Sequence, residues 1–235
     1  MINHDKILVT GSSKGIGLAI TKKILEQNIK VVGISKETPQ FYGIDENYFH
    51  FNIDFSNLHF LEQSISQVLK EHPEISAVIN NAGYGKFSNI ENFSSKQIQA
   101  YINMNLISHI IVTSVLLPHL KRRKAGNIIF IGSEAALSGS KKGSLYCAAK
   151  FGLRGFCQSI REESCDKDVG ISLINPGMVR TSFFDGLTFV PGDKPENAVE
   201  PQDIADLVIT ILRMRQGTVL DEINLSPMKK VLKFF

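Results

Sequence analysis

The sequence predicts one doubly wound α/β domain, in which a parallel sheet of about seven strands carries helices on both faces. Short apolar segments alternate along the chain with segments whose apolar residues recur at helical spacing. Strands that are apolar throughout are typical of a parallel sheet covered on both sides. The 235 residues contain no internal repeat and no linker, so we expect residues 1–235 to form a single domain.

The strands and helices are predicted from these two patterns in turn. Strands are expected at Lys6–Thr10, Lys30–Ile34, Tyr48–Asp54, Ser76–Asn80, Asn127–Gly132, Gly170–Asn175 and Glu222–Leu225. Helices are expected at Ile16–Asn28, Leu58–Glu71, Ser95–Lys121 (closed by Pro118 near its end), Ser144–Asp166 and Pro201–Met214. Because only eighteen positions separate Lys36 from Asp54, the connection between the second and third strands is predicted to be a loop.

Composition excludes several classes of protein. With 26 basic against 23 acidic residues, the chain does not have the charge of a nucleic-acid binder. Three cysteines without a CxxC pair argue against a disulfide framework, and the six histidines lack metal-ligand spacing. The N-terminus does not have the pattern of a signal peptide, and the most apolar segment, Leu106–Leu117, is too short to span a bilayer. We therefore expect a cytoplasmic globular protein without a metal, a nucleic-acid partner or a membrane partner.

A glycine-rich loop follows the first predicted strand, where Thr10–Gly17 reads TGSSKGIG. Gly11 suits a tight turn, Gly15 lets the backbone approach a pyrophosphate, and Gly17 allows close packing of helix on strand. The N-terminus of the following helix offers free N–H groups to phosphates. Three glycines also fit an ordinary flexible turn, but no Gly-Lys-Ser/Thr ends the loop, so it is not a P-loop. The loop predicts a dinucleotide site.

A tyrosine and a lysine lie one helical turn apart at Tyr146 and Lys150. Both side chains project from one face of the predicted helix. An ammonium about 4 Å from a phenol contributes roughly 4 kcal/mol at an effective dielectric near 20, which would bring the phenol pKa from near 10 toward neutral pH, although burial opposes this. The pair is therefore a candidate acid–base site, while chance helix composition would give the same spacing.

Five motifs in order resemble the short-chain dehydrogenase/reductase family. They are TGSSKGIG, Asn80–Gly83, Ser133, Tyr146–Lys150 and Asn175–Gly177, and the resemblance runs from about Lys6 to Thr181. It implies a Rossmann-type fold and an enzyme that interconverts a carbonyl and an alcohol with a nicotinamide cofactor.

The resemblance also implies roles for four catalytic residues. Tyr146 corresponds to the general acid that protonates the carbonyl oxygen, and to the base in the reverse direction. Lys150 corresponds to the residue that lowers the pKa of this tyrosine and binds the nicotinamide ribose. Ser133 would donate a hydrogen bond to the substrate oxygen. Asn105 matches the asparagine that holds a water in the proton relay, with Asn103 as a near neighbour.

NADP(H) is favoured over NAD(H) as the cofactor. Lys36 after the second strand and Lys14 in the glycine loop are positions where related NADP-dependent members carry basic residues. Glu37 is the competing NAD candidate, and a solvated turn at Lys36 and Glu37 is a third interpretation. By resemblance the remaining cofactor contacts are Gly11, Ser13, Gly15, Ile16, Gly17, Ser35, Asp54, Phe55, Asn81, Ala82, Gly83, Tyr146, Lys150, Pro176, Gly177, Val179 and Thr181.

The substrate is less closely defined. The family's substrate lid corresponds to about residues 178–200, where Phe183, Phe184, Leu187, Phe189 and Val190 favour an apolar carbonyl. The resemblance implies a homodimer or homotetramer. A 3-oxoacyl carrier-protein reductase is an alternative, although such members commonly end in a glycine-rich segment that is absent at Asp221–Met228. A non-catalytic NADP-binding sensor or scaffold is another, although such proteins usually lose a catalytic residue.

Overall fold

The computed structural model describes residues 4–39 and 46–235 and contains a seven-stranded parallel sheet in the order β3-β2-β1-β4-β5-β6-β8. Its strands are β1 Lys6–Thr10, β2 Lys30–Ser35, β3 Tyr48–Asn52, β4 Ile75–Asn80, β5 Gly126–Ile131, β6 Val169–Pro176 and β8 Glu222–Leu225. Every neighbouring pair in this sheet runs parallel. The predicted Rossmann-type sheet is confirmed.

Helices cover the sheet on both faces. They are α1 Gly15–Leu25, α2 Leu58–Glu71, α3 Ser95–Ile102, α4 Ser108–Arg123, α5 Ser144–Glu162 and α6 Pro201–Leu212. The side chains of β1 alternate between the two layers, since Leu8 packs into the cluster that includes residues of α2, α4 and α5. Ile7 and Val9 pack instead into the cluster that includes residues of α1 and α6. The apolar character of these strands therefore reflects burial on both sides.

The long helix predicted at Ser95–Lys121 is interrupted. Ser94 caps α3 by accepting a hydrogen bond from the backbone N–H of Gln97, and α3 gives way to a π-helical turn at Asn103–Ile107 before α4 begins. The prediction that Pro118 closes the helix is wrong, because α4 continues to Arg123. Pro118 is exposed, so the helix can continue past it despite the missing backbone N–H.

The helical stretch Ser95–Arg123 is longer than the apolar run recognised in the sequence. By length and composition it could cross a membrane. However, Val112, Leu116 and Leu120 of α4 are fully buried within the core cluster on one face of the sheet. These contacts are those of a core helix.

A two-stranded antiparallel ribbon lies outside the main sheet and was not predicted. It pairs β7, Phe189–Pro191, with β9, Leu232–Phe234. Each strand has only three residues, too few for an alternating pattern to be recognised. The predicted loop between β2 and β3 lies partly outside the described residues, since 40–45 are not described.

Two adjacent residues of α2 allow the core to be tested by substitution. Leu61 is 1% exposed and packs in the core, whereas Phe60 is 55% exposed. We expect Leu61→Ala to lower the free energy of unfolding by about 2–5 kcal/mol, because it leaves a cavity. Phe60→Ala, the matched control, should lower it by less than about 1 kcal/mol. Chemical denaturation measures both, and equal losses would contradict the assignment of α2's buried face.

Candidate active site

The carboxyl ends of the central strands open into a cavity of about 400 Å³. Ligands of open α/β sheets bind at this edge. The cavity brings together most of the predicted cofactor residues and two predicted catalytic residues. Those that line it are Gly11, Ser13, Lys14, Gly15, Ile16, Ser35, Lys36, Asp54, Phe55, Asn81, Ala82, Gly83, Asn105, Lys150 and Thr181.

The glycine loop forms one wall of the cavity by close backbone packing. Gly11 has φ +69°, a conformation that L side chains rarely adopt, and its N–H donates to the carbonyl of Ile34 at 2.7 Å. A Cβ at Gly17 would lie 2.1 Å from the carbonyl oxygen of Gly11. Gly17 therefore allows α1 to begin directly against the turn, with its N-terminal N–H groups near the cavity.

Hydrogen bonds join this loop to the end of β4. The Thr10 hydroxyl accepts from the backbone N–H groups of Asn81 at 2.9 Å and Ala82 at 3.1 Å. In return, the Asn81 side-chain amide donates to the carbonyls of Thr10 at 3.0 Å and Gly11 at 3.3 Å. The walls contributed by β1 and β4 are thus held in a fixed relation.

Two ion pairs lie at the end of the cavity beside β2. Lys14 pairs with Glu37 at 2.7 Å, and Lys36 pairs with Asp54 at 3.2 Å. The pKa of Asp54 is lowered, mainly by the hydrogen bonds that it accepts from Ser56 and also by Lys36. Both predicted lysines and the competing Glu37 therefore line the same cavity.

Tyr146 and Lys150 lie in the first turns of α5 and are both largely removed from water. Burial raises the pKa of Tyr146 to about 12, and a hydrogen bond with Ser133 acts in the opposite direction. Burial also lowers the pKa of Lys150 to about 8. In this geometry burial, which raises the Tyr146 pKa, outweighs the lowering that the sequence predicts from Lys150. The lysine Nζ is 5.8 Å from the centre of the tyrosine ring and donates to the carbonyl of Ile131 at 2.9 Å.

Ser133 is positioned from the sheet. Its backbone N–H donates to the Asn175 side-chain oxygen at 3.3 Å, and the amide group of Asn175 donates to Glu222 and Asn224 at 2.9 and 3.0 Å. A Cβ at Gly132 would lie 2.2 Å from the same Asn175 oxygen. The Asn175–Gly177 motif therefore supports the loop that presents Ser133 to Tyr146.

Asn105 lies fully buried in the π-helical turn. Its side-chain oxygen accepts from the backbone N–H of Tyr84 at 3.1 Å, and its amide group donates to the carbonyl of Tyr101 at 3.1 Å. A Cβ at Gly83 would approach that oxygen to 2.8 Å. The asparagine thus joins the π turn to the loop after β4.

Phenylalanine rings pack around Tyr146. The ring of Phe87 is 5.4 Å from that of Tyr146 and the ring of Phe183 is 5.9 Å from it. Phe183 also lines the cavity. A Cβ at Gly85 would lie 2.3 Å from the Phe183 ring, so this lid residue packs tightly on the loop after β4. The tyrosine therefore lies in an apolar setting next to the cavity.

Several predicted residues do not line the cavity. Gly17, Ser133 and Tyr146 lie just outside its lining, in the contacts described above. Pro176, Gly177 and Val179 are held by backbone pairing instead. Pro176 pairs with Leu225 in the sheet, the Gly177 N–H donates to Leu225 at 2.7 Å, and Val179 bridges Val199.

The motifs do not indicate some of the lining residues. Besides Glu37, Tyr84 and the predicted lid residue Phe183, the cavity includes Ile53, Met104, Ile131, Gly132 and Ser182. Most of these flank a recognised motif, so proximity in sequence is the signal that could have found them. Phe87 had no such signal. Within the described residues, no group of three or more His, Cys, Asp or Glu side chains could hold a metal ion.

Comparison with known proteins agrees with this geometry. The short chain dehydrogenase family model matches residues 5–188. The chain belongs to the short-chain dehydrogenase family. It is 31% identical over 219 residues to the 3-oxoacyl-acyl-carrier-protein reductase FabG of Buchnera aphidicola subsp. Acyrthosiphon pisum, covering 88% of this chain and 89% of that relative.

Two solved structures of oxidoreductases share the fold. An alcohol dehydrogenase from the archaeon Thermococcus sibiricus, complexed with 5-hydroxy-NADP, matches with a TM-score of 0.85 at 23% identity, covering 97% of this chain and 98% of that one. A metagenomic short-chain oxidoreductase in complex with NADP matches with a TM-score of 0.82 at 26% identity, covering 97% and 99%.

As a short-chain dehydrogenase, the chain is an NAD(P)-dependent dehydrogenase or reductase acting on an alcohol or a carbonyl group. The residues present fit such a cofactor. The close approach of Gly17 to Gly11, which any Cβ would block, leaves the helix N-terminus free to face phosphates.

Replacement of Gly17 by alanine tests this wall. We expect Gly17→Ala to weaken NADPH and NADH binding by about tenfold or more, since the added Cβ must displace the loop backbone. Gly139→Ala is the matched control, because a Cβ there meets no atom within 4 Å. Cofactor fluorescence titration measures both affinities. Unchanged binding in Gly17→Ala would contradict the prediction that this loop faces the cofactor phosphates.

Proposed function

We propose that residues 1–235 form one dinucleotide-binding and catalytic domain that reduces a ketone or an aldehyde with NADPH, or oxidises the matching alcohol. One observation carries this proposal: Ser133, Tyr146 and Lys150 come together beside a cavity that suits a dinucleotide. The substrate lid, about residues 178–200, contributes Phe183 to the apolar side of Tyr146.

Tyr146 is the proposed proton donor to the carbonyl oxygen. Burial raises its pKa to about 12, so the phenol holds its proton at neutral pH, as a general acid must. Ser133, already hydrogen-bonded with Tyr146, would orient the same substrate oxygen. When bound, NADPH supplies the hydride, while the chain supplies position and the proton.

Lys150 and Asn105 are proposed to support Tyr146 from the cavity side. Both line the cavity, and Lys150 has a pKa lowered by burial to about 8, so its charge can change near physiological pH. We propose that Lys150 binds the nicotinamide ribose and favours release of the tyrosine proton. Asn105 would hold a water between Lys150 and solvent.

NADP(H) is the proposed cofactor in preference to NAD(H). Lys14 and Lys36 both line the cavity end beside β2, next to Ser35. Their partners Glu37 and Asp54 neutralise them within the chain. A 2′-phosphate would compete for these exposed lysines, whereas a ribose hydroxyl would not. Complexes of the related metagenomic enzyme with NADP support the same preference.

The substrate is proposed to carry an apolar group on its carbonyl. Phe87 and Phe183 pack on Tyr146, and Phe184 and Phe189 extend the apolar lid behind them. A 3-oxoacyl carrier-protein substrate is the second candidate, and the 31% identity to the Buchnera reductase favours it. Family membership supports a homodimer or homotetramer, and we propose a cytoplasmic location.

Turnover tests the proposal directly. We expect consumption of NADPH with at least one compound in a panel of ketones, diketones, aldehydes, steroids and acyl thioesters. Tyr146→Phe should lower kcat by about 10²–10⁴-fold, since it removes the proton donor. Its affinity for NADPH, measured in parallel, should stay within about twofold of the wild type, because the ring is retained. Retained turnover in this variant would contradict the role of Tyr146, and preference for polar sugars would contradict the apolar substrate.

Cofactor choice is tested separately. Lys36→Ala should weaken NADPH binding roughly tenfold, because a charge-assisted hydrogen bond to the 2′-phosphate is lost. NADH affinity should change less than about twofold. Lys30→Ala, at the opposite end of β2, is the matched control and should leave both affinities unchanged. Tighter binding of NADH than NADPH by the wild type would overturn the preference.

A further inference from the structure

The C-terminal segment, residues 226–235, is attached along the substrate lid. Besides the β7–β9 pairing, the Gly192 N–H donates to Val231 at 2.9 Å, and Phe235 N–H donates to Thr188 at 3.1 Å. Further along, Lys229 N–H donates to Glu196 at 2.9 Å. Six residues of the lid are thus paired with, or hydrogen-bonded through the backbone to, six residues of the segment.

Ion pairs strengthen this attachment. Lys233 pairs with Asp193 and Lys229 with Glu196 at 3.6 Å, both on the lid. Lys230 pairs at 2.7 Å with Glu134, the residue after Ser133. The segment therefore contacts the lid and the loop that carries the proposed substrate-orienting serine.

A continuous series of aromatic contacts links this segment to Tyr146. Phe234 of β9 lies directly opposite Phe189 of β7, with ring centres 6.4 Å apart. Phe189 lies 5.3 Å from Phe87, whose ring is 5.4 Å from that of Tyr146. Phe189 also contacts Phe184, which contacts Phe183, so a second route reaches the same tyrosine.

The cross-strand contact of Phe234 matters because the ribbon is small. A two-stranded ribbon on its own is marginally stable, and aromatic pairs directly opposite each other are a main source of its stability. Phe234 is 72% exposed, so its ring is not part of the main core. Its neighbour Phe235 is 85% exposed and has no ring contact among the described residues.

We propose that Phe234 is a positioning residue for substrate specificity: by holding Phe189 against Phe87, it sets the apolar wall beside Tyr146. Loss of its ring would let Phe189 move away and widen that wall. Substrates whose carbonyl carries a bulky apolar group would lose contact, whereas small ketones would not. This inference rests on the proposed carbonyl reduction, because Tyr146 marks where the carbonyl binds.

The experiment compares Phe234→Ala with Phe235→Ala, which removes an identical side chain at the next position. The ligands are 4-phenylbutan-2-one and butan-2-one, which differ by one phenyl group. Their affinities are measured by ligand-observed NMR titration with saturating NADP⁺, a cofactor that has no hydride to transfer. Turnover of both ketones with NADPH is measured in parallel, and Phe234→Tyr tests rescue by a retained ring.

We expect Phe234→Ala to weaken binding of 4-phenylbutan-2-one about three- to tenfold, in line with the loss of one aromatic contact. Binding of butan-2-one should change less than about twofold, as should both affinities in Phe235→Ala and Phe234→Tyr. In turnover, KM for the phenyl ketone should rise by the same factor, while kcat is retained.

Two results would overturn the inference: equal effects in Phe234→Ala and Phe235→Ala, or equal effects on the two ketones. Failure of the proposed function would look different. If no variant or wild type consumed NADPH while the binding difference persisted, the specificity role of Phe234 would stand and carbonyl reduction by Tyr146 would not. Turnover by the wild type without a selective effect in Phe234→Ala would retain the function and remove the inference.

Discussion

The contact between the loop after β1 and the loop after β4 is the constraint on which the site depends. The sheet extends from β1 in both directions, with β2 hydrogen-bonded on one side of it and β4 on the other. A crevice lies at that point between the two loops. Hydrogen bonds of the Thr10 hydroxyl and of the Asn81 side-chain amide join its two sides. A side chain at Gly17 would collide with Gly11 and Asn81. The glycine therefore lets α1 begin at this contact, with its N-terminus facing the cavity.

Burial has opposite consequences for the two ionisable residues of α5. Removal from water disfavours the charged form of each, so the pKa of Tyr146 rises while that of Lys150 falls. The phenol is therefore held neutral, and the lysine becomes the residue whose charge responds to modest changes of pH. The four-residue spacing of Tyr146 and Lys150 in the sequence carries no information about how deeply the pair is buried. Desolvation is the larger effect here, because the ammonium is directed to the carbonyl of Ile131 and not to the phenol oxygen.

The elements that could be predicted from the sequence are those whose apolar residues are explained by burial alone. Strand Lys6–Thr10 has the predicted bounds, since burial on both faces of the sheet determines its composition. The residues of the glycine loop line the cavity because the loop directly follows β1, so their place also follows from local sequence. Long-range partners were not predictable: Phe87 approaches Tyr146 only through the tertiary fold, and β9 finds β7 across the lid. The π turn at Asn103–Ile107 was also missed, because one extra residue per turn barely disturbs an apolar period.

The two strands of the β7–β9 ribbon are synthesised at different times, because they lie far apart in the chain. Ribosomes add roughly 5–20 residues per second, so the strands of one domain emerge over several seconds. The strands that form the nucleotide cavity are all made before β7, whereas β9 follows β7 by about forty residues. A nascent chain therefore contains every strand beside the cavity while the lid still lacks its partner strand. The ribbon of the lid can pair only once synthesis has passed β9.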